Sequence, residues 1–298
     1  MNGPRNVLPA ELIQEFLQSA TSPEPGLAAP ALLIARLGYP QLDPAPYLAR
    51  LEAMGSAVAS RLTHSNEPFE PHGPIDALNK YIFEDQGFSG NTGNYDDPRN
   101  SFLNQVLDRR TGIPLTLAVV YIEIARRAGI RVDGVNFPGH FLLRFPFGPE
   151  DDHASAVFVD PFHSGTVLSE TDCRSLLRRH AGAGVKFEPP LLAPATTQQI
   201  LIRMLGNLKR VYLGMRSFPQ GRAITDLLLA IDPLALNELR DRGLLSYHVN
   251  DYAAALRDLE TYLRFSSPRD EEESESREER TEIWNHVKAL RRRMAGLN

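Results

Sequence analysis

The chain reads as an α+β protein with helices before and after a small sheet. Three observations predict this. Residues 1 to about 85 carry apolar residues at helical spacing, and so do residues from about 196 onward. Between them lies one long apolar helix candidate, "GIPLTLAVVYIEIARRAGI". Three short apolar runs bounded by glycine, proline or polar residues follow it, in the manner of antiparallel strands. The expected organisation is a helical N-terminal region at 1–85, a mixed core at 86–195 and a helical region at 196–298.

In the first region, "PAELIQEFLQSA" places Leu12, Ile13, Phe16 and Leu17 on one helical face. "SPEPGLAAP" interrupts the helix with prolines and a glycine. "ALLIARL" and "DPAPYLARLEAMGSAVASRL" follow, the second with Asp43 as a cap before Pro44. "PIDALNKYIFEDQGF" predicts one more helix, stopped at Gly87.

The core opens on "FSGNTGNYDDPRNS", which is rich in turn formers. Asp96-Asp97-Pro98 reads as a turn plus cap. The long helix starts at Pro114, where a missing N–H costs nothing, and stops at Gly129. Its apolar character over most of its surface predicts burial, with Arg126-Arg127 as a solvated edge. The strand candidates are "RVDGVNF", "HFLLRFP" and "SAVFVDP". "VLSETDCRSLL" predicts a helix capped by Ser169, with Asp172 completing a capping box. Leu168 and Cys173 then stand at the two positions of a hydrophobic staple.

In the last region, Pro233 and Pro268 lie 35 residues apart, each closing a helical pair. In the second pair, Gly243, Tyr247, "NDY", Ala255 and Leu256 match the small–large packing of a tetratricopeptide unit. The first pair matches in length and terminal proline only. "RDEEESESREERTE" then leads into "IWNHVKALRRRMAGLN". It reads as a solvated helix face with Glu–Arg pairs, since Ile283, Trp284, Val287 and Leu290 keep helical spacing.

Composition excludes several function classes. The 298 residues are 42% hydrophobic and 23% charged, ordinary values for a globular protein. Net charge is -5 and the basic residues are dispersed, so nucleic acid is not an expected partner. No apolar run is long enough to cross a bilayer, so no membrane role is expected. The first twenty residues lack the charged-then-apolar pattern of a secretory leader. The single cysteine, Cys173, rules out an internal disulfide and a multi-cysteine zinc site, which makes a reducing cytoplasm the expected compartment.

His140 and Asp160 are the residues most suited to chemistry. His140 follows a glycine turn and feeds a strand; Asp160 ends the next strand, before a proline turn. If those strands pair, the carboxylate can fix the imidazole's tautomer and stabilise its protonated form. His163 lies three residues on and is a further binding candidate. His140, Asp160 and His163 are suitable zinc or iron ligands. However, Asp160 and His163 straddle a proline turn and no second local pair reinforces them, so no metal or other cofactor is expected. Tyr95 and Asn100 lie in the loop before the buried helix and are binding candidates beside a capping role. Asn136, with Gly139, is a candidate for shaping the cleft floor. Arg99 and Arg109-Arg110 are read as surface residues rather than an anion site.

The segment from about Ala31 to Leu177 resembles the transglutaminase-like core of the SirB type. The resemblance rests on "LNKYIFEDQGFSGNTGNYDDPRNSFLNQVLDRRTGIPLTLAVVYIEIARRAGI", "GVNFPGHFLLRF" and "VDPFHSG". It implies a papain-like core in which a central helix carries a catalytic cysteine and adjacent strands carry histidine and aspartate. It also implies tetratricopeptide helices after that core. By position, the histidine is His140 and the aspartate Asp160, while the cysteine position falls on or near Pro114. Loss of a triad nucleophile typically removes about a million-fold of rate. Thr116, near the helix start, is a poor nucleophile without a positioned base. Cys173 reads as packing. The resemblance therefore implies a non-catalytic scaffold or regulator. Its protein or peptide partner would bind through the C-terminal helices or the residual cleft. The alternative is a hydrolase or acyl-transfer enzyme that uses His140 and Asp160 with a non-standard nucleophile or a bound metal.

Overall fold

The computed structural model describes residues 8–22, 26–64, 73–147, 156–182, 184–266 and 274–295. Pro268, part of the "SPEPGLAAP" break and part of the acidic run lie outside these residues. The described residues fall into two compact units. One spans Gln18–Met204; the other joins the stretch up to Leu17 with the residues from Leu205 onward.

The N-terminal helices form where the apolar spacing places them: α1 at Ala10–Ala20, α2 at Ala28–Ala35, α3 at Ala45–His64 and α4 at Gly73–Asn79. Asp43 does act as a cap, its Oδ1 accepting from the Ala45 N–H at 3.0 Å. The last predicted helix is not uniform. After α4 the chain widens into a π-helical turn at Lys80–Asp85, before Gly87 takes a left-handed conformation (φ +69).

A two-residue parallel ladder joins β1 (Ser89–Gly90) to β2 (Thr111–Gly112), on either side of α5 (Leu103–Arg109). The long apolar run forms α6, Pro114–Arg127, buried almost throughout from Pro114 to Ala125. Gly129, with φ +77, ends it. The solvated edge expected at Arg126-Arg127 holds for Arg126 only. Arg127 is 9% exposed and pairs with Glu123, itself 1% exposed. The polar spot on this apolar helix is thus an internal ion pair, which also accepts the Leu27 N–H at 2.6 Å.

The three strand candidates become β3 (Asp133–Val135), β4 (Leu142–Pro146) and β5 (Ala156–Asp160). A short β6 (Thr166–Leu168) extends the sheet in the order β3-β4-β5-β6, all antiparallel. Strand alternation gives the sheet two apolar faces. Phe145 meets Tyr121 of α6 edge-on at 6.0 Å between ring centres. On the opposite face Leu142 and Phe158 pack with Cys173, Leu176 and Leu177 of α7 (Glu170–Ala181). The sheet is therefore held between the central helix and α7.

The C-terminal helices are α8 (Thr197–Gly214), α9 (Phe218–Ile231), α10 (Leu236–His248), α11 (Tyr252–Phe265) and α12 (Ser274–Ala295). Gly243 lets α10 approach α11: a Cβ there would lie 2.7 Å from a Leu259 methyl. Arg242 of α10 bridges Asp226 of α9 (3.2 Å) and Asp258 of α11 (2.6 Å). Ile283, Val287 and Leu290 of α12 bury against Ala255, Leu259 and Tyr262. Trp284, expected on that same face, is 43% exposed, because one residue past Ile283 the helix has turned it off the seam. Among the described residues no helix is long and apolar enough to cross a membrane.

Candidate functional site

The site lies in the Gln18–Met204 unit, where the turn at 161–163 packs against the buried helix α6. Pro114 is the first residue of α6, with Ile113 as its N-cap. Thr116, two residues on, is not available as a nucleophile: its hydroxyl donates to the Asn100 carbonyl at 2.7 Å and accepts from the Ile113 N–H at 3.2 Å. Its oxygen thereby ties the preceding loop to the helix start.

Asn100 is fully buried and locks that loop. Its amide donates to the Asn94 carbonyl (2.7 Å) and the Tyr95 carbonyl (3.2 Å), and its Oδ1 accepts from Asn91 (3.0 Å) and Arg109 (3.3 Å). Asp97 caps the turn at Pro98–Asn100. Hydrogen bonds from the Arg99 side chain hold its carboxyl below the usual range, against the opposing push of burial. Tyr95 is 42% exposed and meets Phe162 edge-on at 6.1 Å.

Sheet pairing brings the predicted pair together. His140 precedes β4 and Asp160 ends β5; His140 Nε2 lies 2.9 Å from Asp160 Oδ1. Both side chains are buried, at 4% and 3% exposure. The Phe162 N–H donates to the same Oδ1 at 2.9 Å, while Oδ2 lies 2.7 Å from His163 Nδ1. Burial pushes the Asp160 carboxyl up, but its hydrogen bonds and attraction to the two imidazoles prevail, and its pKa ends below the ordinary value. His163 is 56% exposed, so the cluster opens to solvent on its side.

Two neighbours escaped the sequence reading. His180, in the last turn of α7, stacks on His140 with ring centres 5.4 Å apart and planes 17° apart. Burial lowers its pKa, and the neighbouring His140 and Arg179 add to this. Gly139 makes the approach possible: its φ is +69, and a Cβ there would sit 2.5 Å from His180 Cβ. Arg203 of α8 donates to the carbonyls of Phe137 (3.0 Å) and His140, and to Asn136 Oδ1 at 3.5 Å. It clamps the turn that presents the imidazole. His180 stands in an "RRH" run that looks like solvent-facing charge, and Arg203 in an ordinary amphipathic helix, so neither carries a local signal.

Cys173 faces away from this chemistry. It is 0% exposed, within the apolar cluster between the sheet and α7, and Leu168 packs against that cluster. Ser169 and Asp172 form the expected reciprocal cap. Burial, reinforced by the carboxylates of Asp172, Glu170 and Asp160, pushes the thiol up to about 11. A thiol so placed is a packing group.

Residues 45–206 match the family described as the transglutaminase-like superfamily. The chain belongs to that superfamily. Residues 208–283 match a tetratricopeptide repeat family, so a transglutaminase-like domain is followed by repeats of that kind. A UPF0162 protein of Xylella fastidiosa is 40% identical over 242 residues, covering 80% of this chain and 83% of that one. A UPF0162 protein of Pseudomonas aeruginosa is 35% identical over 199 residues, 67% of this chain and 69% of its own. The human F-box only protein 21 is 34% identical over 183 residues, 59% of this chain but 28% of its own length. No solved structure matches the chain. The two family matches together agree with the SirB-type resemblance, a transglutaminase-like region followed by repeats, and the bacterial relatives are UPF0162 proteins.

Proposed function

We propose that this transglutaminase-like chain is a non-catalytic, cytoplasmic scaffold or regulator that holds a protein or peptide. The supporting observation is the start of α6. Pro114 occupies its first position, where the resemblance puts the nucleophile, and the nearby Thr116 hydroxyl is committed to Asn100 and Ile113. Cys173 offers no substitute, being enclosed in the core with a raised pKa. What persists is the His140–Asp160–His163 cluster, open to solvent at His163, and a helical-repeat region of a type suited to peptide recognition.

A second reading draws on the intact His140–Asp160 bond at 2.9 Å: a hydrolase or acyl-transfer enzyme with a different nucleophile. One experiment separates the two. Purified wild type, His140→Ala and Pro114→Cys are assayed for hydrolysis of an activated ester and for amine incorporation into a glutamine peptide. Scaffold function predicts no His140-dependent turnover in wild type, with peptides from a display library binding the full chain and weakened by Tyr95→Ala or Trp284→Ala. Wild-type turnover abolished by His140→Ala would refute it.

A further inference from the structure

We propose that His140, Asp160 and His163 form a binding site for one divalent transition-metal ion of the zinc or iron(II) class. The inference goes beyond the scaffold reading and does not depend on it. Spacing along the chain argued against a metal, because Asp160 and His163 straddle a turn and lack a partner nearby. The fold supplies that partner from the neighbouring strand. One ligand atom from each of the three residues lies within 4.8 Å of the others. A metal with bonds of about 2.0–2.2 Å needs its ligands roughly 3–4 Å apart, so the widest pair must close by about 1 Å or more, a movement open to the exposed His163 side chain.

The donor chemistry fits. Two imidazole nitrogens and a carboxylate form a set suited to zinc, iron, cobalt or nickel, and unsuited to magnesium or calcium. The carboxylate presents a different oxygen to each imidazole, Oδ1 to His140 Nε2 and Oδ2 to His163 Nδ1. A single structural hydrogen bond would need one histidine; here two converge on one carboxylate. On metal binding, the ion takes the place of the protons now shared at those contacts.

Supporting contacts hold the ligands. The Phe162 N–H fixes the carboxylate at 2.9 Å. Arg203 grips the His140 backbone carbonyl, and His180 stacks on the His140 ring. Such outer contacts orient metal ligands and tune affinity. Two of the three ligands are buried and the third is 56% exposed, which leaves one side of the ion open to water or to a donor group of a bound molecule.

The test is a titration of untagged, chelator-stripped full chain with Co²⁺, followed by its visible d–d absorption, and then displacement by Zn²⁺. The expected result is one equivalent per chain, displaced by zinc. Asp160→Asn and His163→Ala should each weaken binding tenfold or more. His163 is exposed, so His163→Ala keeps the fold; circular dichroism and a thermal melt establish that for both variants. Absence of a visible band in wild type, or a band that either folded variant leaves in place, overturns the site.

Discussion

Cys173 gives the sharpest test of the reasoning, because its environment predicts both its reactivity and a pH dependence of stability. The thiol is 0% exposed and its pKa is raised from 9.0 to about 11, first by burial and then by nearby carboxylates. At about pH 8 an ordinary thiol is roughly one-tenth ionised, whereas this one is ionised to about one part in a thousand. A disulfide reagent should therefore label native protein at least about a hundredfold more slowly than urea-unfolded protein. The same displacement has a thermodynamic consequence. Above pH 9 the unfolded chain releases the thiol proton while the folded chain keeps it, so the folded state binds more protons and stability falls as pH rises. At about pH 10, roughly one unit above the unfolded pKa and still below the folded one, the loss is roughly 1.4 kcal/mol. Cys173→Ala removes this dependence but costs about 1 kcal/mol of buried contact at every pH. Urea denaturation of both proteins should show wild type ahead by about 1 kcal/mol near pH 8 and no longer ahead near pH 10. A gap that stays constant with pH, or a native thiol that labels as fast as the unfolded one, would refute the core placement.

Other substitutions probe the remaining devices. Glu123→Ala removes the carboxylate beneath Arg127 and the acceptor of the Leu27 N–H, leaving exposed Glu52 as the remaining ionic partner. It should cost about 3–5 kcal/mol in urea denaturation. Asp160→Asn should lower stability at neutral pH. The Asp160 pKa is depressed below 3.8, so its contribution is present above that value and fades as pH falls through the folded pKa. The gap between wild type and Asp160→Asn should thus close in acid. Gly243→Ala drives a methyl toward Leu259, with a 2.7 Å approach to relieve, and should lower stability by about 1–3 kcal/mol without altering the transglutaminase-like unit.

The features legible in the sequence share a local cause. Strands β3, β4 and β5 announce themselves because each apolar run is cut off by glycine, proline or polar residues, and their antiparallel pairing follows from the short connections. Once β4 and β5 pair, the meeting of His140 and Asp160 is nearly forced, since the Leu143–Val159 register brings the start of one strand to the end of the other. The caps at Asp43 and Ser169 were equally readable, because a cap is decided within three residues. The features that escaped are decided elsewhere. The π-helical turn at Lys80–Asp85 changes hydrogen-bond register without changing the apolar period. The β1–β2 ladder is two residues long and parallel, and so is set by α5 and the loops around it rather than by its own side chains.

The same distinction explains the site. A metal signature written along one helix is visible as spacing, whereas here the third ligand arrives from a neighbouring strand and the supports from α7 and α8. His180 reaches His140 only because Gly139 has no side chain to keep them apart. Arg203 holds the His140 turn by donating to main-chain carbonyls, and any residue has a carbonyl to offer, so no partner residue betrays it. The start of the central helix at Pro114 is legible because it needs a single position. The surroundings of His140 depend instead on contacts among separate elements. That is why a sequence that shows which residue opens the central helix says little about the contacts that surround His140.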